Sequence, residues 1–163
     1  MSFKTYSPEL ASAFEASDEA IQQLLDQLKA SAPHPPKDPA QLEPLYAMGF
    51  SALQAGQSET AYAVFMVLVS QAPLEARFYA GLSLAQKARK ETEAAYLSMV
   101  LAHHLDKGNL KYPLAAAELL MALDQRAPAR LALMGVVALS HNTADKPLHD
   151  RAQALLELYS HAG

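Results

Sequence analysis

A chain of 163 residues, 51% hydrophobic and 18% charged, is long enough for one domain with a real core. It has no cysteine, which excludes a disulfide framework, a thiolate zinc site and a cysteine nucleophile. Its net charge of −4 and pI near 5.8 argue against a general affinity for nucleic acid. Only six glycines are present, alternating Val/Ile runs are nearly absent, and Ala and Leu dominate, so the fold class expected is all-α. The longest apolar run, Ala61 to Val69, is too short to span a bilayer. The start, MSFKTYSPEL, lacks a basic segment followed by an apolar core. A soluble, cytoplasmic protein without direct membrane binding is expected.

Ser7-Pro8-Glu9 is a helix-start signal, with an N-cap, Pro in the first turn and an acidic residue behind it. Leu10, Phe14, Ile21, Leu24, Leu25 and Leu28 follow at helical spacing. Ser17-Asp18-Glu19 could cap a second helix, so the segment reads as one helix or two. The proline-rich stretch from Ser31 to Pro39 then breaks any helix and reads as a stiff linker. Residues 1–39 form an N-terminal helical arm and linker on this reading, and residues 40–163 the main body.

The main body repeats itself at an interval of 34 residues. Gly49, Ser83 and Ala117 are all small, Ala61, Ala95 and Ala129 are identical, and Phe65, Met99 and Leu133 are all large and apolar. Small residues opposite large ones let two helices close on each other and stack on the next pair. Gly56 falls at the turn inside the first pair and Pro73 after it. This resembles the tetratricopeptide repeat, with repeats at about 42–75, 76–109 and 110–143. Leu148, Ala152, Leu155, Leu156 and Tyr159 make one apolar stripe on a last helix, 146–161, of the kind that closes the end of a solenoid.

The first repeat helix is apolar on more than one side. At about 100° per residue, Leu45, Met48, Gly49 and Ala52 make one stripe, which reads as the seam with the partner helix. Tyr46, Phe50 and Leu53 make a second. In tetratricopeptide proteins the first helix of each pair lines a concave groove, and these three residues would point into it. Ala80, Leu84 and Lys87 would join them from the second repeat, and Lys111, Leu114, Glu118 and Met121 from the third. Aromatic anchors on a concave apolar surface suit the gripping of a peptide. The competing reading is that Tyr46 and Phe50 simply pack beneath the N-terminal arm.

The stretch Leu42-Glu43-Pro44-Leu45-Tyr46, with Phe50, Gly56, Ala61 and Phe65, resembles the first repeat of the class II chaperones of bacterial type III secretion, the LcrH/SycD and IpgC type. Arg77-Phe78-Tyr79-Ala80-Gly81-Leu82 is similar to their second repeat, and residues 113–120 to their third. The resemblance implies a non-enzymatic chaperone that holds an extended Pro- and Leu-containing segment of a hydrophobic translocator in the groove, with Arg77 among the groove residues. It also implies a homodimer through the N-terminal arm. A general protein-interaction scaffold and a chaperone of a secretion needle subunit are the alternatives.

Other chemistry finds little support. His103 and His104 are adjacent and point about 100° apart on a helix, and no His-x-x-x-His pair exists, so no metal is expected. Glu91 and Glu93 sit where a helix start favours negative charge. Neither a Gly-rich phosphate loop nor a Gly-x-Ser-x-Gly nucleophile turn is present, so neither cofactor nor catalytic residue is expected.

Overall fold

The computed structural model describes the backbone of residues 7–161 and the side chains of residues 19–161. Eight α-helices and no strand occur among the described residues. They are α1 (Ser7–Ser31), α2 (Glu43–Gln54), α3 (Ser58–Gln71), α4 (Ala76–Ala88), α5 (Thr92–Leu105), α6 (Lys111–Ala122), α7 (Arg126–Ser140) and α8 (Lys146–His161). A short 3-10 turn, Pro39–Leu42, leads into α2, and the Asp38 carboxylate caps it by accepting from the Ala40 N–H at 3.0 Å. α1 runs unbroken through Ser17-Asp18-Glu19, so the arm is one helix. The Ser7 cap and the Leu10 and Phe14 side chains lie outside the described residues.

From α2 onward each helix packs on the next, which makes a solenoid of helix pairs. The 34-residue register is visible in the packing. Ala61, Ala95 and Ala129 have no exposed surface, and Phe65, Met99 and Leu133 are buried beside them. Ser83, at the small position of the second repeat, donates its hydroxyl to the Ala95 carbonyl at 2.7 Å, so the close crossing also satisfies a polar group.

The turns inside the pairs are built alike. Gly56, Lys90 and Asp124, each 34 residues apart, adopt positive φ of 72°, 65° and 55°. Behind each, the chain closes the preceding helix with the same bond, from Gln57 N to Ala52 O, Glu91 N to Gln86 O and Gln125 N to Leu120 O, all 2.9 Å. This left-handed closure satisfies carbonyls that the helix end leaves without partners.

One assignment of the seam is corrected. Met48 is 52% exposed, whereas its repeat equivalents Leu82 and Ala116 are 5% and 1% exposed. In the later repeats the preceding pair covers this position, through the α3–α4 and α5–α6 packing. The first repeat has no preceding pair, so its outer edge stays open. At the other end α8 closes the stack, with Leu148 and Ala152 buried against Leu133 and Val136.

The arm packs on α5 and α7, the second helices of their pairs. Leu25 is its buried anchor, flanked by the half-buried Ile21 and Leu28, and Gln22 Oε1 lies 3.3 Å from His104 Nε2. The linker returns alongside α3, where the Lys37 N–H donates to the Gln71 carbonyl at 3.2 Å.

Candidate functional site

Tyr46 and Phe50 stand one turn apart on α2 with their rings 5.0 Å apart and edge-on. Both rest edge-on against the buried ring of Phe65, at 6.1 and 5.5 Å, and Tyr46 leans on Phe78 of α4 at 5.6 Å. Each is half-buried: one side belongs to the core and the other is open. Among the described residues the arm packs chiefly on the second helices α5 and α7 rather than on α2.

Arg77 organises the charge at this end. Its guanidinium lies over the Tyr46 ring at 4.8 Å and the Phe78 ring at 5.2 Å, a cation–π arrangement. It donates to the Glu43 carboxylate from α2 and, through Nε, to Glu75 at 3.2 Å. The hydrogen bond to Glu43 raises the arginine pKa further, so the cation is fixed. Burial pushes the Tyr46 phenol above its ordinary range, and the Arg77 charge works against that shift. The phenol is therefore a neutral, half-buried amphipathic surface at working pH.

Leu53 and Ala80 continue the half-buried surface, and Leu84 on α4 is 43% exposed one repeat on from Phe50. Lys87 and Lys111 are exposed. Leu114 is buried at 6% exposure in a cluster with Leu148 of α8, so it supports the wall from beneath. Glu118 accepts from Arg151 Nε at 2.6 Å, and the Met121 carbonyl accepts from the Tyr159 hydroxyl at 3.3 Å. The surface has two ends as a result. Tyr46, Phe50, Leu53, Ala80 and Leu84 form an apolar one, and Lys111, Glu118 and Arg151 line a charged cleft of about 500 Å³ between α6 and α8.

Sequence reasoning missed Glu43 and Arg151 as parts of this surface, and Phe78 as a buried ring beneath it. Glu43, Arg77 and Lys111 share one repeat position, which was a signal for a charged rim. Arg151 carried none, because the last helix reads as a lid rather than a wall. Among the described residues, no group of three or more histidines and carboxylates could hold a metal ion. His141 and His149 lie 5.7 Å apart ring to ring, with His149 Nδ1 2.9 Å from Ser140 Oγ.

Helix pairs in 34-residue register, a half-open apolar wall on the first helices and a closing helix define a tetratricopeptide-type binding protein. No protein-family model matches the chain. It is 30% identical over 120 residues to the low calcium response locus protein H of Yersinia pseudotuberculosis serotype I (strain IP32953), spanning 71% of this chain and 70% of that protein. Among solved structures, the Yersinia enterocolitica type III secretion chaperone SycD in complex with a peptide of the translocator YopD superposes with a TM-score of 0.70 at 29% identity. That match covers 74% of this chain and 93% of the other. PcrH of Pseudomonas aeruginosa in complex with the chaperone-binding region of PopD gives 0.72 at 28% identity, covering 77% and 96%. The chain belongs to the low calcium response locus protein H family, the class II translocator chaperones of type III secretion. The family resemblance drawn from the repeat residues therefore holds.

Proposed function

We propose that this protein binds a hydrophobic type III translocator through an extended apolar segment laid along Tyr46, Phe50, Leu53, Ala80 and Leu84. It thereby keeps the client soluble and secretion-competent in the bacterial cytoplasm. The observation that carries this reading is the half-open aromatic and aliphatic wall on α2 and α4, while among the described residues the arm packs chiefly on the second helices. Covering an apolar client segment suppresses aggregation by mass action, without a catalytic step or a nucleotide. Leu53 and Leu84 offer room for aliphatic side chains, while Tyr46 supplies a rigid amphipathic face at low entropy cost. Lys87, Lys111, Glu118 and Met121 complete the rim, with Arg77 fixing the aromatic end. Two relatives solved with translocator segments support the client class, and a SycD dimer supports pairing of two copies, which we place at the arm.

Co-expression tests the reading. A type III translocator that is insoluble alone should become soluble and co-purify with this chain, and a translocator that stays insoluble in its presence would contradict it.

A further inference from the structure

The molecule has a second concavity, at the joint between arm, linker and body and distinct from the concave wall. Pro36, Pro39, Ala72, Pro73 and Leu74 form its apolar lining, and its volume is about 340 Å³. Leu74 is 54% exposed there. Its repeat equivalents are Gly108 and Asn142, so the inter-pair loop does not require a large apolar residue at this position. The exposed leucine, set beside Pro36, Pro39 and Pro73, makes the base of the hollow apolar where the other two loops carry glycine and asparagine.

The charge on the rim is mainly cationic. Lys29, Lys37 and His34 border the hollow, with Glu75 as the one carboxylate. Glu75 is neutralised by Arg77 at 3.2 Å. Lys29 has only a loose pairing with Asp26 at 3.6 Å, with Lys29 half-buried and Asp26 exposed. Lys37 is exposed and has no carboxylate within ion-pair reach among the described residues. The hollow is thus apolar at its base and cationic at its lip, on a chain whose net charge is −4.

We infer that this hollow is a docking site for a short linear segment of a partner protein, carrying a bulky apolar side chain beside a carboxylate. The apolar side chain sits against Leu74 and Pro73, and the carboxylate meets Lys37. The site is small, so it takes one or two side chains from a passing chain, and its Coulomb term is screened by salt.

The test uses the full chain, labelled with nitrogen-15, and the capped peptide Ac-Glu-Leu-Phe-Asp-amide. Saturable amide shifts at residues 29–39 and 71–75 are expected. Replacing the peptide's acids by Gln and Asn, or Lys37→Glu in the protein, should each weaken binding by about fivefold or more. Leu74→Asp should abolish it. Equal binding of the neutral peptide, shifts confined to α2 and α4, or no saturable shift at millimolar peptide would each overturn the inference.

Discussion

The ring of Phe65 occupies the space where Gly81 would carry a side chain. A β-carbon built on Gly81 falls 2.0 Å from Phe65 Cε1, and one on Gly49 falls 2.9 Å from the same ring. Phe65 is thus clamped between α2 and α4 by two glycines, one from each first helix. The aromatic wall above it depends on that clamp, because Tyr46 and Phe50 both lean on this ring.

Gly81→Ala should therefore destabilise the fold, by about 1–3 kcal/mol, since the buried ring cannot retreat. Gly135→Ala is the control. It lies exposed in α7 with nothing within 4 Å of an added β-carbon, and relief of glycine's helix penalty should stabilise by about 0.5–1 kcal/mol. Urea denaturation of the two variants should move the midpoint in opposite directions.

The turn residues give a second expectation. Lys90 and Asp124 hold the left-handed conformation that Gly56 adopts freely. For a residue with a β-carbon this conformation costs about 1–2 kcal/mol, less for Asp than for Lys. Lys90→Gly should raise the thermal midpoint, with Asp124→Gly giving a smaller gain. A midpoint lowered by Lys90→Gly would contradict the turn geometry.

Exposure at equivalent positions predicts unequal costs. Leu82→Ala should destabilise by about 2–5 kcal/mol. Met48→Ala, at the same repeat position but half exposed at the open edge, should stay within about 0.5 kcal/mol of the parent. Equal losses would mean that the first repeat's outer edge is covered.

Alkaline pH should unfold the protein through buried phenols. Burial pushes Tyr79 and Tyr96 up to about 12, above the value near 10 of an unfolded tyrosine. The folded state favours the neutral phenol. This contribution is fully present below about pH 10 and is lost as pH rises from there toward 12, at up to about 1.4 kcal/mol per pH unit for each group. Tyr79 also donates its hydroxyl to the Pro73 carbonyl at 2.9 Å, a bond the phenolate cannot make. Urea midpoints across this range should fall less steeply in Tyr96→Phe than in the parent.

The periodicity of small and large residues was enough to read the helix pairs, because close helix crossings tolerate little at Ala61, Ala95 and Ala129. What escaped was whatever depends on a neighbour outside the local helix. Gly81 sits within an ordinary helical pattern, and only the arrival of Phe65 from α3 explains it. Met48 fits the repeat stripe but lacks the preceding pair that would bury it. Lys90 gives no compositional hint of positive φ and Asp124 only a weak one, since the backbone bonds of the turn impose it. At the site, Tyr46, Phe50 and Leu53 stood out as a surplus apolar stripe. Arg151 could not, because only the return of α8 brings it to Glu118.

The central claim is that the wall on α2 and α4 holds the client. Tyr46 and Phe50 are poor reporters, since their rings also support Phe65 and their loss would weaken the fold. Leu84 is the cleaner one, being 43% exposed on the same wall. The direct measurement is calorimetric titration of the parent and Leu84→Asp with a translocator's chaperone-binding segment, alongside their thermal midpoints. The account predicts unchanged folding and an affinity lower by about tenfold or more, from burying an unpaired carboxylate in an apolar contact. Undiminished affinity in a folded Leu84→Asp would contradict it.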